Sequence, residues 1–403
     1  MKKIFTGLVA AMLTITVITG SAAAAFSDTS GHWASANIDR AEKLGILNGY
    51  PNGTFQPEGA VTRAEYVKML LGAMQLTPGS ETANFLYNSS AYASYGKGTY
   101  DGYIYGTNPT LRDLDSNWLG KQGWAQVALD YGLIFSLDYA GQLFFPNQDI
   151  TRNEAAVMNV RMMGLVYPAA HYDETDPPLT VTDAASVPDW MRGYIHQGME
   201  AGVIGGYPDG SFGGERTITR AEAVTMVLRA MDWAEEGIDP DIKVFVSYPN
   251  KENLKEQAHL SAPAQIVDGY LYLPARNILD IAYRQYGLRD SVSYLQGVTT
   301  DQTEGQIFYF SYGHGCRYIA GTPLIISQFL NGLREPISQS PAPYRILRGE
   351  FMIPLYKENE VFGNGLGDEY SQRDSYPHWE STYDKDTKTL NIVMEWFYYR
   401  GSS

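Results

Sequence analysis

Three arginines occupy the same position in a repeated tetrapeptide. Arg63 and Arg220 lie within Thr-Arg-Ala-Glu, and Arg152 lies within Thr-Arg-Asn-Glu. A threonine followed three residues later by a glutamate is a capping box, so each arginine is predicted in the first turn of a helix. There its guanidinium could donate two hydrogen bonds to a carboxylate, beside free backbone amides and the positive end of the helix dipole. A single tetrapeptide favours a surface ion pair of little energetic weight, whereas three copies at one register favour carboxylate binding.

An aromatic turn precedes each tetrapeptide at a constant distance. Phe55, Phe144 and Phe212 each lie seven residues before the threonine of their copy. In the first and third copies the phenylalanine ends Gly-Tyr-Pro-(Asn/Asp)-Gly-(Thr/Ser)-Phe, in which proline and glycine favour a tight turn. The second copy has Phe-Ser-Leu-Asp-Tyr at 135–139 instead. The constant spacing indicates that one structural unit is used three times.

An aspartate and a tryptophan open each copy, ahead of a predicted helix that ends at a glycine. A tryptophan at this position can pack at the start of the helix or stack its face on a sugar, and the sequence leaves both interpretations open. The pairs are Asp28 and Trp33, Asp113 and Trp118, and Asp183 and Trp190.

The residues that follow each arginine predict a second helix with one buried face. Apolar residues lie at 64, 67, 70, 71 and 74, and again at 221, 224, 227, 228 and 231, with the period of a helix. In the second copy Asn153 and Asn159 interrupt this stripe, so we expect that unit to pack differently. Because two helices cannot bury an apolar face alone, we expect the three units to share one core with approximate threefold symmetry.

Together these residues resemble the S-layer homology (SLH) module of bacterial envelope proteins, over about residues 26–233. The resemblance rests on the Asp…Trp openings, the Gly-Tyr-Pro turns and the two Thr-Arg-Ala-Glu boxes. It implies three modules, at 26–76, 111–165 and 181–233, that fold as one all-α pseudo-threefold trimer. It also implies non-covalent binding of secondary cell-wall polysaccharide, typically a pyruvylated sugar, in grooves between the modules.

The resemblance further assigns roles to single residues. The arginine of each box meets the pyruvate carboxylate, which points to Arg63 and Arg220, and through a less complete motif to Arg152. Because the second copy departs from the pattern at its turn and its box, we expect Arg152 to contribute least. The aspartates and tryptophans implied to line or shape the grooves are Asp28, Trp33, Asp113, Trp118, Asp183 and Trp190.

Composition restricts the class of partner. The 403 residues suffice for two or more packed domains, and the formal net charge of -15 argues against nucleic acid, which requires a basic surface. The 30 tyrosines and 7 tryptophans suit contact with carbohydrate or protein as well as core packing. The single cysteine, Cys316, excludes an intrachain disulfide and a cysteine-based metal cluster.

The N-terminus predicts export. Two lysines follow Met1, an apolar run spans residues 4–18, and small residues at 21–25 suit a signal peptidase. Residues 1–25 are therefore predicted to be a secretory signal peptide, with an N-terminal membrane anchor as the alternative. No other segment reaches the length of a membrane span, so we expect a secreted protein of a bacterial cell wall or S-layer.

Two segments interrupt the array of modules. Residues 77–110 form a Tyr- and Gly-rich insertion, which either packs on itself as a surface loop or contributes to ligand contact. Residues 166–180 are predicted to be a linker, and the acidic segment 234–241 is predicted to be a domain boundary.

Residues 242–403 are predicted to form an α+β domain. Alternating apolar residues and an Asp-Gly turn predict strands, and a helix is predicted over 275–286. This part resembles the stalk-like domain named after the N-terminal part of copper amine oxidases, a resemblance that implies neither catalysis nor copper. The residues that carry it are Asp268-Gly269, Pro274, Arg276, Asp384, Thr387-Lys388-Thr389 and Ile392, with Tyr383 where that family usually has tryptophan.

One stretch alone suggests an enzyme. In Gly313-His314-Gly315-Cys316 an imidazole and a thiol lie on the same side of a predicted strand, although a small buried thiol is the commoner role. His259 and His378 lack partners at metal-ligand spacing, and phosphate-loop and hydrolase motifs are absent from the sequence, so no cofactor or metal is expected.

The sequence therefore predicts a non-enzymatic envelope protein that is held to wall polysaccharide by its modules and displays its C-terminal domain to an unknown protein partner. Two alternatives stay open. One is an anchored enzyme whose C-terminal domain acts on wall glycan or peptide, for example through Cys316. The other is a structural protein of an S-layer lattice.

Overall fold

The computed structural model describes residues 26–78, 99–100, 103–104, 111–173, 175–248, 254–275, 277, 307–311, 315–319, 321, 324–328, 334–339, 342–348, 350–357 and 376–397. The predicted signal peptide, most of the insertion 77–110 and most of the predicted helix 275–286 lie outside these residues. So do His314 and the side chains of Cys316 and His378.

Helices dominate the N-terminal part of the described chain. The three helices that begin at Arg63, Arg152 and Arg220 bury their apolar stripes in one core shared by all three copies. The helices are α1 Ser35–Lys43, α2 Arg63–Ala73, α3 Trp118–Lys121, α4 Trp124–Asp130, α5 Arg152–Met162, α6 Val166–Ala170, α7 Asp189–Glu200 and α8 Arg220–Ala234, with 3₁₀ turns at Ser136–Asp138, Ala140–Gln142 and Ala184–Ser186.

The three predicted capping boxes are confirmed. Thr62, Thr151 and Thr219 are the N-caps, and each hydroxyl accepts a hydrogen bond from the glutamate amide three residues later. The glutamate carboxylates accept the N–H groups of the same threonines at 2.9, 3.0 and 2.9 Å. Each second helix therefore begins where the tetrapeptide predicts.

The first-turn amides of these helices connect neighbouring modules. In each case the two N–H groups after the N-cap donate to carbonyls in the loop before the second helix of the next module, and the connections run from first to second, second to third and third to first. The expectation of free amides beside each arginine is therefore wrong, because these donors are used to close a ring. The pairs are Arg63 to Gln148 (2.9 Å), Ala64 to Pro146 (3.0 Å), Arg152 to Arg216 (2.9 Å), Asn153 to Gly214 (2.9 Å), Arg220 to Gly59 (2.8 Å) and Ala221 to Pro57 (3.0 Å).

The two asparagines of the second copy are part of the core. Asn153 and Asn159 are 2% and 0% exposed, so they extend the buried face of α5. The side-chain amide of Asn153 donates to Glu215 of the third module at 2.9 Å. This hydrogen bond gives the buried amide of Asn153 a polar partner. The other two copies have alanine at this position, which needs none.

The predicted linker 166–180 begins with a helix. Val166 and Ala169 of α6 are buried, and α6 packs on α7. The approach is close at Gly193, where an added Cβ would lie 1.8 Å from the carbonyl oxygen of Ala169. A side chain at this position would force the two helices apart, so the first part of this segment is a packed element and the linker prediction is wrong there.

Strands dominate the described C-terminal part, and they form three sheets with the orders β12-β13-β7-β6-β3, β14-β15-β4-β5 and β11-β10-β9-β8. Neighbours are antiparallel except β15 and β4, which are parallel. A short antiparallel pair, β1 with β2, lies within the insertion. The strands are β1 Thr99–Tyr100, β2 Tyr103–Ile104, β3 Ile238–Asp239, β4 Lys243–Tyr248, β5 Leu254–Gln257, β6 Ala264–Val267, β7 Tyr270–Pro274, β8 Ile307–Ser311, β9 Gly315–Ile319, β10 Leu324–Gln328, β11 Arg334–Gln339, β12 Arg345–Leu347, β13 Glu350–Tyr356, β14 Tyr376–Asp384 and β15 Thr389–Phe397.

Two similar hairpins form the centre of the five-stranded sheet. β6 and β7 are joined at Asp268 and Gly269, whose φ angles of 51° and 80° are those of a tight hairpin turn. β12 and β13 are joined beside Arg348, which also has a φ of 51°. Because β7 pairs with β13, the two hairpins lie side by side in the sheet.

The end of α8 is bonded directly to this sheet. The guanidinium of Arg345 donates to the carbonyl of Trp233 at 3.0 Å, and the side-chain amide of Gln265 donates to the carbonyl of Ala234 at 2.7 Å. These donors satisfy carbonyls that a helix C-terminus leaves without partners. Since β3 also pairs with β6, the segment 234–241 is ordered structure that joins the helices to the sheet. Within the described residues, no helix has the length and apolarity needed to cross a membrane.

Candidate functional site

The three arginines lie in the junctions between modules. Arg63, Arg152 and Arg220 are only 8%, 7% and 4% exposed. Each side chain crosses to the aromatic turn of the next module in the ring, so an arginine and the turn of its own copy belong to different junctions. These side chains are therefore structural groups as well as candidate ligand groups.

Arg220 packs on the turn of the first module. Its guanidinium carbon lies 4.9 Å from the centre of the Tyr50 ring and 4.6 Å from that of Phe55, within cation–π range. Its Nε donates to the carbonyl of Phe55 at 2.9 Å, and Nη1 lies 3.5 Å from Oε1 of Glu65. Aromatic rings, a carbonyl and a carboxylate thus surround one buried cation.

Arg63 makes the equivalent contacts with the second module. It lies 5.6 Å from the centre of the Tyr139 ring, and its Nη1 donates to the carbonyl of Phe144 at 2.9 Å and to the side chain of Gln148 at 3.0 Å. Its Nη2 donates to Oε1 of Glu154. Tyr139 thus contacts Arg63 as Tyr50 contacts Arg220, although the residues around Tyr139 lack the Gly-Tyr-Pro pattern.

Arg152 makes the loosest set of contacts. Its guanidinium carbon lies 4.7 Å from the Tyr207 ring centre and 5.3 Å from that of Phe212, and Nη2 donates to the carbonyl of Gly205 at 2.6 Å. The nearest oxygen of Glu222 is 3.9 Å away and accepts instead from the Tyr207 hydroxyl at 2.9 Å. The Nε atoms of Arg152 and Arg63 have no hydrogen-bond partner among the described residues. The side chain of Arg152 therefore donates fewer hydrogen bonds within the described residues than that of Arg63 or Arg220.

Each capping-box glutamate has a second role that the sequence did not reveal. One oxygen, Oε2, accepts the N-cap amide of its own helix, while Oε1 faces the arginine of the preceding module in the ring. The tyrosine that contacts each arginine could have been found from the sequence, because each of the three phenylalanines has a tyrosine five residues before it. The repeated set is completed by Tyr50 and Glu65, Tyr139 and Glu154, and Tyr207 and Glu222.

The three opening aspartates hold the aromatic turns. Each carboxylate accepts two consecutive backbone N–H groups, which fixes the turn against which an arginine packs. The pairs are Asp28 with Phe55 and Gln56 (2.8 and 2.7 Å), Asp113 with Phe144 and Phe145 (2.9 and 2.6 Å), and Asp183 with Phe212 and Gly213 (2.7 and 2.8 Å).

These hydrogen bonds change the acidity of two of the carboxyl groups. Burial alone would raise the pKa of Asp28, but the amides of Phe55 and Gln56 lower it, with a net decrease. The pKa of Asp183 is likewise raised by burial and lowered by the amides of Phe212 and Gly213, again with a net decrease. Both aspartates are therefore ionised in the folded protein at neutral pH.

Two of the three tryptophans are open to solvent. Trp33 is 63% exposed and Trp190 is 47% exposed, whereas Trp118 is partly buried against the core. The ammonium group of Lys68 on α2 lies 5.7 Å from the Trp118 ring centre and 5.7 Å from that of Trp124. Trp118 therefore packs partly against the core, whereas Trp33 and Trp190 have ring surface that is accessible to a ligand.

The structure brings Trp190 to the arginine-bearing junction of the second module. A pocket there is lined by Trp190 and by Tyr139 and Glu154, which both contact Arg63. It is also lined by Arg161 and Asp138, a buried ion pair with Nη1 to Oδ2 at 2.5 Å and Nη2 to Oδ1 at 3.1 Å. This pair is specific to the second module, because Asp138 replaces the glycine that precedes the tyrosine in the other two turns.

The other two junctions place a tryptophan-bearing segment in the same way. Helices α3 and α4, beginning at Trp118, lie next to α2. Helix α1, which follows Trp33, packs along α8: the side chain of Asn37 donates to Thr225 at 3.1 Å, and Arg40 pairs with Asp232 at 2.5 Å. These contacts place Trp118 and the helix that follows Trp33 beside the second helices of the first and third copies, respectively.

Comparison with known families identifies part of this array. The family model of the S-layer homology domain matches residues 25–67 and 182–224. The chain is thus similar to the S-layer homology domain at two positions. The matched residues include the Asp…Trp pairs and the Thr-Arg-Ala-Glu tetrapeptides of the first and third modules. The module at 111–165 stays a prediction. The resemblance of the C-terminal part to the amine oxidase stalk-like domain also stays a prediction.

Curated relatives share this region. The chain is 29% identical over 195 residues to a cellulosome-anchoring protein of Acetivibrio thermocellus, which covers 47% of this chain and 36% of that protein. It is 28% identical over 168 residues to a surface layer protein of Brevibacillus choshinensis, covering 41% of this chain and 13% of that protein. It is 23% identical over 203 residues to an amylopullulanase of Thermoanaerobacterium thermosulfurigenes, covering 50% and 9%. The chain thus matches little more than a third of the first relative and less of the others.

The SLH domains and these similarities support a secreted protein associated with the cell wall or the S-layer. Within the described residues, no group of three or more His, Cys, Asp or Glu side chains is placed to hold a metal ion.

We predict that the three Arg–Glu contacts stabilise the protein unequally. Replacing Glu154, Glu65 and Glu222 singly by glutamine keeps the size and an acceptor for the N-cap but removes the charge. Because Arg63 and Glu154 are both nearly buried and directly bonded, Glu154→Gln should lower the free energy of unfolding most, by about 1–3 kcal/mol. Glu222→Gln, at 3.9 Å from its arginine, should cost least. Urea unfolding of the three variants measures this order, and equal losses would contradict it.

We also predict that Asp28 and Asp183 contribute to acid sensitivity. Because their pKa values are lower in the folded chain, their contribution to stability is present above the usual aspartate pKa of about 3.9 and is lost as pH falls through the folded-state values. The double variant Asp28→Asn Asp183→Asn should be less stable at neutral pH and should lose less stability on acidification. Thermal unfolding from neutral to acid pH tests this, with the exposed Asp115→Asn as control, and an unchanged acid dependence in the double variant would refute it.

Proposed function

We propose that the protein is an exported cell-envelope protein held non-covalently to secondary cell-wall polysaccharide by its three modules. The observation that carries the proposal is the pocket at the second junction, where the half-exposed Trp190 ring lies with Tyr139 and Glu154, both of which contact Arg63. Such a site offers an apolar face to a sugar ring and charge-assisted donors to an acidic substituent. The relatives are named as an anchoring protein and a surface layer protein, which supports the same role for the shared region.

The architecture that we propose for this role is an all-α pseudo-threefold trimer of modules followed by an α+β domain. The closed ring of amide–carbonyl bonds and the repeated Arg–Tyr–Glu set support it. Three junctions on one polymer act together through effective concentration, so modest affinity at each junction suffices for retention.

The junction of Arg152 suits an acidic sugar best. Of the three arginines, Arg152 is the farthest from its glutamate carboxylate. A second guanidinium, that of Arg216, lies 4.4 Å from the centre of the Tyr207 ring, which Arg152 also contacts. At the equivalent positions the first and second modules have Gly59 and Gln148. A carboxylate on the ligand, such as that of a pyruvylated sugar, would give the guanidinium of Arg152 an acceptor that Glu222, at 3.9 Å, does not provide.

The C-terminal domain is proposed to be a displayed, non-catalytic domain. The region shared with relatives serves anchoring, and the enzymes among them match only through this region, which is 9% of the amylopullulanase. Its direct bonding to α8 suits presentation at a defined orientation. An anchored enzyme and an S-layer lattice protein remain hypotheses that no observation among the described residues favours.

Binding to walls should depend on pyruvate. We expect the whole chain to sediment with purified walls that carry pyruvylated polysaccharide and to stay in solution after the pyruvyl groups are removed. The physical reason is that Arg152 lies 3.9 Å from its glutamate, so its guanidinium can donate to a ligand carboxylate. Equal sedimentation with stripped walls would refute carboxylate recognition while leaving sugar stacking open.

The two exposed indoles should contribute to affinity without contributing to the fold. We expect Trp33→Ala and Trp190→Ala each to weaken wall binding on the order of tenfold, or ~1.4 kcal/mol per ring. Leu44→Ala, which removes a side chain that is 50% exposed, is the matched control for lost apolar surface. Binding isotherms with solubilised polysaccharide measure the effect. If the tryptophan variants match the control, the rings are not part of the site.

A further inference from the structure

The residue before the tryptophan has the same structural role in the first two modules. His32 and Asn117 each stand four residues after the opening aspartate. Nδ1 of His32 accepts the backbone N–H of Ala34 at 3.1 Å, and Oδ1 of Asn117 accepts that of Leu119 at 2.8 Å. In both modules a side chain therefore fixes the backbone on either side of the tryptophan.

A second contact joins each of these side chains to the loop beyond the aromatic turn. Nε2 of His32 is 2.8 Å from Oε1 of Glu58, and the amide of Asn117 donates to Oδ1 of Asn147 at 2.8 Å. Glu58 and Asn147 each lie three residues after the phenylalanine of their turn. The two modules thus build the same bridge, one with an imidazole and a carboxylate and the other with two neutral amides.

The third module lacks the bridge. Val187, four residues after Asp183, has no side-chain donor or acceptor. Glu215, at the position of Glu58, accepts instead from Asn153 of the second module at 2.9 Å. The first module therefore has a bridge with titratable groups, the second has a neutral bridge, and the third has none at this position.

The hydrogen bonds assign the tautomer of His32. Because Nδ1 accepts from Ala34, the single proton of the neutral ring is on Nε2 and is donated to Glu58. A second proton on Nδ1 would face the Ala34 N–H, and Ala34 is fully buried, so that amide could not turn to water. The compensating attraction to Glu58 is weak because that side chain is 74% exposed. The other charged groups nearby, Asp28 and Arg220, are engaged with backbone groups of the turn.

The imidazole packs directly on the ring that it would position. The ring centres of His32 and Trp33 are 5.5 Å apart with a 36° angle between planes. We propose that His32 is a positioning residue for the Trp33 ring and that protonation of its imidazole releases this ring, whereas the Trp118 ring is held by a bridge that does not titrate. As a consequence that rests on the proposed function, polysaccharide binding at the Trp33 junction weakens in acid.

The position of the ring can be followed without any ligand. The whole chain is labelled with fluorotryptophan, and the Trp33 resonance in the fluorine NMR spectrum is identified by its absence from Trp33→Phe. We expect this resonance to shift in one protonation step as the solution is acidified, and the Trp118 resonance to stay constant. A Trp33 resonance that does not move on acidification of the folded chain overturns the proposal.

The second module supplies the matched variant. His32→Asn Glu58→Asn gives the first module the bridge of Asn117 and Asn147, so the helix start keeps its acceptor while the titratable groups are lost. We expect its Trp33 resonance to stay constant with pH, close to the neutral-pH position of the unmodified chain. A pH-dependent shift that persists in this variant also overturns the proposal, because the shift would then arise elsewhere.

Wall binding separates this inference from the proposed function. Sedimentation with walls that carry pyruvylated polysaccharide is measured near pH 5 and near pH 8 for both chains. We expect the unmodified chain to lose binding in acid and the double variant to keep it. Absence of binding at either pH, with the NMR shift present, would refute the proposed function and leave the positioning role standing. Equal loss of binding in both chains would overturn the consequence for binding.

Discussion

The capping-box glutamate makes two connections with one carboxylate, and the arrangement of the modules depends on both. Its Oε2 closes the start of its own helix, and its Oε1 faces an arginine of the preceding module. A local device for beginning a helix is thereby joined to a contact between modules. Because the adjacent first-turn amides bind the next module in turn, each helix start is connected in both directions and the three copies form a ring.

This arrangement explains why candidate ligand groups are buried. A guanidinium such as that of Arg220 can be held between Tyr50 and Phe55 because a nearby carboxylate and carbonyls compensate its charge in the junction. The same contacts orient it in advance, so a ligand carboxylate would meet a fixed donor. The exposed indoles Trp33 and Trp190, by contrast, add a surface that the fold itself does not use. Differences among the junctions arise where one copy changes a single partner, as Asp138 does when it brings Arg161 into the second junction.

Much of the local structure could be predicted from the sequence. The capping boxes, the apolar faces of α2 and α8 and the Asp268-Gly269 hairpin depend on residues close together in the chain, whose hydrogen bonds and periodicity are local. The sequence is less informative where distant segments meet. The interrupted apolar stripe at Asn153 predicts different packing of the second unit, but it does not reveal the bond to Glu215 of the third. Residues 166–170, within the predicted linker, pack on α7, where Gly193 permits the close approach.

The sequence by itself predicted the unit, its three copies and an export signal, since these predictions depend on composition and on spacings within about fifty residues. Only the tertiary structure decided which copy each arginine serves. Arg63 contacts Glu154 and Arg152 contacts Glu222, because the ring places each helix start against the turn of the following copy. Long-range contacts of this kind leave no trace in local spacing, so the partner of a buried charge can be read only once the modules are assembled.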